Sequence, residues 1–208
     1  MRAARTYQTR AIILRQFHFA EVDKLLTLFT RDQGKLKAIA KGASRPGSKL
    51  GGHVEPLTLS SLMLARGRNL HIVTQGQIVE SYSQLKNDLE RSACGQYILE
   101  LVDLFTAEGN EDSALFDLLL ETLGQLGGCR NTSALLHYFE LQLLGHVGYR
   151  PRLQRCTGCG AALQPEINYF SFEHGGVVCP DCARGENDTF ALSVDALKVL
   201  RMWQTCDH

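Results

Sequence analysis

Hydrophobic and polar positions alternate along the first 80 residues and then recur at three- and four-residue steps over the next 70. Thr9 to Leu14 and Lys24 to Thr30 are rich in Ile, Leu, Thr and Phe and are bounded by polar or turn-forming residues, the pattern of β-strands. Arg31-Asp32-Gln33-Gly34 supplies a turn in which glycine can take a positive φ, and Lys35 to Lys41 follows with near-strict alternation, which predicts a hairpin. With a period of two, Leu36, Ala38 and Ala40 face the core, while Lys35, Lys37 and Lys41 share the other face with Ile39. Leu57 to Ala65 and Leu70 to Glu80 add two strands, joined by the basic turn Arg66-Gly67-Arg68-Asn69. Five strands within 80 residues suit a small closed barrel. The OB-fold is the first candidate, an SH3-like barrel the second.

Beyond Glu80 the period changes. Tyr97, Ile98, Leu101, Val102, Leu104 and Phe105 fall on one broad helical face, and Leu115 to Leu126 and Leu135 to Val147 repeat the pattern, predicting three antiparallel helices with a leucine core. Cys94 and Cys129 have no cysteine or histidine near them in sequence and are read as buried thiols; His137 and His146 are read as structural. Near the end, Ser193 caps a helix through Ala196, Leu197, Val199, Leu200 and Trp203. The expected organisation is α+β and multidomain: a barrel over 1–80, a helical domain over 81–150, a cysteine module over 151–190, and a helix over 191–208 packing on the helical domain. Cys206 is a further unpaired thiol in a segment expected to fray.

Charge sharpens this division. The chain has 22 Lys and Arg against 22 Asp and Glu over 208 residues, a formal net charge of zero. Residues 1–80, however, carry 13 basic against 5 acidic side chains, a balance of +8, and residues 81–208 carry 9 against 17, a balance of −8. A basic half of this kind is a candidate polyanion surface, because fixed cations displace the counterions condensed on nucleic-acid phosphates. The cations singled out are Lys35, Lys37, Lys41, Arg45, Lys49, Arg66 and Arg68. Gly42 to Gly52 is read as a mobile cationic loop. It imitates a phosphate-binding loop, but Ser48 is inserted before Lys49 and Leu50 stands where a hydroxyl would bind Mg²⁺, so the protein is not expected to be a nucleotide-hydrolysing enzyme. Phe17 and Phe19 flank His18 in an expected loop, where they either cover a barrel end or stack on bases; burial is the commoner use of such rings, so the grip is expected mainly on the phosphate backbone. Apolar runs such as Leu62-Met63-Leu64-Ala65 are far short of a membrane span, and the basic start lacks the apolar stretch of a secretory signal, so a cytoplasmic location is expected.

The strongest local signal is Cys156-Thr157-Gly158-Cys159, followed by Cys179-Pro180-Asp181-Cys182. Two such pairs at this separation match a four-cysteine zinc site better than a redox pair or disulfides. Ile167 to Phe172 and Val177-Val178 form a hairpin between the knuckles, the arrangement of a zinc ribbon. Four thiolates (Cys156, Cys159, Cys179, Cys182) leave a zinc ion no open position, so one structural Zn²⁺ per chain is expected. His174 is a weaker alternative ligand. Val178 stands where zinc deaminases have proline before their second cysteine pair.

The order of parts is itself distinctive. Gln8 to Leu14, Asp23-Lys24-Leu25, Gly34-Lys35, Lys41-Gly42-Ala43 and Glu55-Pro56-Leu57 are followed by Gly148-Tyr149-Arg150-Pro151, the two cysteine pairs and Leu192-Ser193. In this order the chain resembles the bacterial RecO family of recombination mediators. The resemblance implies binding of single- and double-stranded DNA, annealing of complementary strands without ATP, and help from RecR in letting RecA replace the single-strand-binding protein SSB. It also implies contact with the acidic, apolar C-terminal tail of SSB in a basic-rimmed apolar groove on the helices between Leu85 and Arg155, where Arg130, Arg150, Arg152 and Arg155 are the available cations. Chains of that family usually continue with a basic helical stretch beyond the helix that starts here near Ser193. Two other readings fit the same parts: an RNA-binding accessory of translation, and a fragment of a nucleic-acid ligase, for whose adenylation domain this length has no room.

Overall fold

The computed structural model describes residues 5–68 and 70–205, so Asn69 of the basic turn and Cys206 lie outside the described residues. Two units divide the chain, Met1–Leu136 and His137–His208.

In the first unit, β1 (Thr6–Phe19), β2 (Asp23–Thr30), β3 (Gly34–Ala40), β4 (Leu59–Ala65) and β5 (His71–Glu80) close a barrel in the order β1-β2-β3-β5-β4. All pairings are antiparallel except β3 with β5, which run parallel where Ala38, Ile39 and Ala40 meet His71, Ile72 and Val73. This is the OB-type barrel expected from strand count. Its interior holds Ala11, Ile13, Leu26, Leu28, Leu36, Ala38, Leu62, Leu64 and Val73, so the inward face of β3 is the one its alternation predicted.

The first strand departs from expectation. It continues through Phe17-His18-Phe19, which were expected in a loop, because a bulge at Leu14 lets β1 keep pairing: Ile13 opposes Leu28 and Arg15 opposes Thr27. The extra residue reverses which side chains point out. Ala11 and Ile13 fill the barrel before the bulge; after it, Arg15, Phe17 and Phe19 are exposed.

Gly42 to Val54 is not the loose loop that its composition suggested. Ala43 and Leu50 pack on the barrel core, and Arg45, Ser48 and Gly51 donate their N–H groups to the carbonyls of Gly42, Arg45 and Ser48 before a 3₁₀ turn at Gly51–Val54. Small residues here serve successive tight turns.

After the short α1 (Ser83–Lys86), α2 (Leu89–Phe105) and α3 (Ser113–Leu126) each begin at an aspartate whose carboxylate accepts from an N–H of the first turn, Asp88 from Arg91 and Asp112 from Leu115. The buried stripe of α2 is narrower than predicted: Ile98, Leu99 and Val102 are buried, whereas Leu104 and Phe105 are exposed. Gly95 lets α2 approach the barrel, since a Cβ there would lie 2.9 Å from Leu57 Cδ2. Phe116 of α3 packs on Phe29 with ring centroids 6.1 Å apart, covering part of the outer barrel face. The α2–α3 linker extends this cover: Glu108 pairs beside Lys35, and the Gly109 N–H donates to the Lys35 carbonyl at 2.9 Å. Cys94 and Cys129 are partly exposed rather than buried.

α4 (Thr132–His146) contains the boundary between the units. In the second unit, β6 (Asn168–Ser171) and β7 (Gly176–Val178) form the expected hairpin. After α5 (Pro180–Ala183), β8 (Thr189–Leu192) pairs antiparallel with the other edge of β6, a strand the sequence reading missed. The Ser193 hydroxyl accepts from the Ala196 N–H at the start of α6 (Val194–Thr205), as predicted. Leu197 of α6 joins Leu153 and Val177 in a small core, and Trp203 meets Tyr138 of α4 edge-on at 6.2 Å. No described helix is long and apolar enough to cross a membrane.

Candidate metal centre and nucleic-acid surface

The sulfur atoms of Cys156, Cys159, Cys179 and Cys182 all lie within 4.8 Å of one another, those of Cys159 and Cys179 at 3.9 Å. Both knuckles are built by backbone. The Cys159 and Cys179 N–H groups donate to Cys156 Sγ at 3.5 and 3.3 Å, and Gly160, at φ +75°, closes the first turn onto the Cys156 carbonyl. Gly158 is needed for a different reason: a Cβ there would come to 3.0 Å from Cys182 Sγ.

Burial raises the Cys156 thiol, but the N–H groups of Cys159, Cys179 and Gly158 outweigh it and bring it down to about 6. Cys182, hydrogen-bonded to the other three thiols, is pushed up to about 12. Four thiolates at this separation would repel one another, so all four can ionise together only around a cation. The donor set fits one four-coordinate ion, because metal–sulfur bonds of about 2.3 Å put tetrahedral ligands about 3.8 Å apart. His174 lies outside the cluster, with Nε2 3.0 Å from Glu186 Oε1.

The seven basic side chains are placed unequally. Lys35 is mostly buried and reaches the carboxylate and carbonyl oxygens of Asp103. Lys37 lies 2.6 Å from Glu108, whose hydrogen bond and charge raise its ammonium above the ordinary lysine range. The outward face of β3 therefore does not present a row of free ammonium groups. Lys41, Arg45, Lys49 and Arg68 are exposed and make no ion pair among the described residues; Arg66 is exposed and lies over the Tyr7 ring at 4.8 Å. The acidic partners Asp103, Glu108 and Asp117, the last holding Arg31 at 2.7 Å, went unnoticed in the sequence. Their only signal is an excess of acid in and around α2 and α3.

A sequence profile described as Recombination protein O N terminal matches residues 1–82, and one described as Recombination protein O C terminal matches residues 86–207. The chain belongs to the RecO family. Among similar proteins is the DNA repair protein RecO of Roseiflexus sp. strain RS-1, 42% identical over 201 residues that cover 97% of this chain and 71% of that one. The RecO proteins of Dehalococcoides mccartyi strain BAV1 and Desulforamulus reducens are 40% and 36% identical, each over 95% of this chain and 78% of their own. The two matches together reach into both units described above.

Proposed function

We propose that this chain is a recombination mediator that binds single- and double-stranded DNA, anneals complementary strands without ATP and, with RecR, helps RecA replace SSB on single-stranded DNA. It acts in the cytoplasm as a binding protein and not as an enzyme. The observation that carries this reading is the set of exposed cations Lys41, Arg45, Lys49, Arg66 and Arg68, none in an ion pair among the described residues, on an OB-type barrel of the RecO family. Two DNA strands repel each other, and a surface that lowers their effective charge reduces the cost of bringing them together. Nothing in that process requires hydrolysis. In the segment that imitates a phosphate-binding loop, the N–H groups of Ala43, Ser44, Arg45 and Ser48 are already engaged by carbonyls and that of Gly42 by the Asp23 carboxylate.

The ion held by Cys156, Cys159, Cys179 and Cys182 is Zn²⁺, one per chain. With four thiolates around it, its role is to tie the two knuckles together. In the second unit, Arg150, Arg152 and Arg155 line a cavity of about 560 Å³ with Leu153 and Thr157, and this apolar, basic-rimmed site suits the acidic SSB tail.

The test is annealing of complementary strands coated with intact or tail-deleted SSB, with nucleotide absent throughout. Acceleration on intact SSB that weakens when the tail is deleted supports the reading. Equal rates on both remove the SSB contact, and no acceleration even on bare strands removes the mediator function.

A further inference from the structure

The outer face of the barrel is divided. Towards the α2–α3 linker it is covered: Phe29 lies under Phe116, Lys35 is held by Asp103 and Lys37 by Glu108. Towards the β1–β2 turn it is open. There Phe17, 52% exposed, stands in one cross-strand row with Leu25, Ile39 and Ile72, none of which is fully buried. Phe19, 45% exposed, stands two residues further on along the same face of β1. Next to them, Lys41 and Arg45 line a cleft of about 560 Å³ with Ala20, Glu21 and Asp23. Arg45 folds back over Gly42, its Cδ 3.6 Å from where a Cβ would stand.

We infer that this open half is a base-stacking platform for single-stranded DNA, with Phe17 and Phe19 meeting base faces and Lys41 and Arg45 meeting the adjoining phosphates. The inference rests on the DNA-binding reading above and deepens it. Aromatic rings left half in water, Arg15 lying over Phe17 at 5.7 Å, with the exposed cations Lys41 and Arg45 in the cleft beyond the β1–β2 turn, match what single strands need, since every unstacked base has a π-face and every nucleotide a charge. A duplex keeps its base faces stacked inside, so the rings favour single strands while the cations serve both.

Three variants of the full chain test this against the parent in single-strand and duplex titrations over a range of salt. Phe17→Ala/Phe19→Ala should lower single-strand affinity about 5- to 150-fold per stacked base lost, leaving the salt slope and duplex affinity unchanged. Lys41→Ala/Arg45→Ala should reduce the single-strand salt slope by about 0.7 per charge removed. Phe17→Trp should add an emission, over that of Trp203, that is quenched by single-stranded but not by duplex DNA. A parent that binds DNA while the double alanine variant keeps its single-strand affinity and Phe17→Trp shows no quenching overturns the platform. Unchanged affinity for bare strands with annealing lost only on SSB-coated ones also overturns it, making the face a protein dock. A parent that binds no DNA fails the underlying reading instead.

Discussion

The Lys35 ammonium lies 3.3 Å from the Asp103 carboxylate and 2.5 Å from the Asp103 carbonyl oxygen, so a barrel lysine ties the end of α2 to β3. Both side chains are largely buried, and Arg15 reaches the same carboxylate at 3.2 Å. Removing the shared charge leaves a largely buried ammonium with neutral oxygen partners and no counter-charge. Asp103→Asn should therefore destabilise the first unit by about 1–3 kcal/mol, seen as a lower urea midpoint with an unchanged slope. An unchanged midpoint would mean that solvent replaces the pair at no cost.

Glu108 plays a different part, because its bond to Lys37 is half exposed and masks a cation more than it holds the fold. Glu108→Gln should raise single-strand affinity and steepen its salt dependence by about 0.7, as one more ammonium becomes available. Titrations at several salt concentrations read both effects. No change in slope would put Lys37 outside the path of the DNA.

Gly34 is irreplaceable for two independent reasons: its φ is +61°, and a Cβ would lie 1.9 Å from the Asn110 carbonyl oxygen. The first costs an alanine about 1 kcal/mol, and the second forces the α2–α3 linker off β3. Gly34→Ala should lower stability by more than about 2 kcal/mol and, by displacing Glu108, expose Lys37. Chemical denaturation and hydrogen exchange at the Gly109 N–H, bonded to the Lys35 carbonyl, would detect both.

The cysteine cluster predicts metal-dependent folding of the second unit. Purified protein should contain about one zinc per chain, and Cys179→Ser should lose it together with the ordered structure around residues 156–182, while the barrel persists. Metal analysis with amide exchange resolves the two effects. A metal-free preparation that keeps this segment ordered would refute the assignment.

His71 links stability to pH. Burial, then the positive charge of Arg66, lowers its pKa below the ordinary value of 6.5, and its Nδ1 lies 2.9 Å from the Tyr7 hydroxyl. Between the lowered folded value and 6.5 the unfolded chain binds more protons, so stability falls as pH drops through about 6.5 and levels off once the folded state is also protonated. His71→Gln should flatten that dependence. Urea midpoints measured from pH 7.5 to 5 check it, and an equal decline in parent and variant would assign the effect to other groups.

Local pattern was enough for much of this protein. Period-two alternation at Leu36, Ala38 and Ala40 identified the inward face of β3 because a strand's side chains alternate whatever lies around it. The two Cys-x-x-Cys units identified the four cysteines that gather into one cluster, because a knuckle is built within four residues. Long-range packing decided the rest. The Leu14 bulge turned Phe17 and Phe19 outward on a strand expected to end before them, since continued pairing with β2 outweighs local turn preference. β8 forms only because the edge of β6 is there to receive it. Above all, the charge of a lysine is written in the sequence, but its freedom to meet DNA is not: Asp103, 68 residues away, engages Lys35, while Lys41 next to the same strand remains exposed. Ion pairing depends on distances between atoms, and only the tertiary fold sets those.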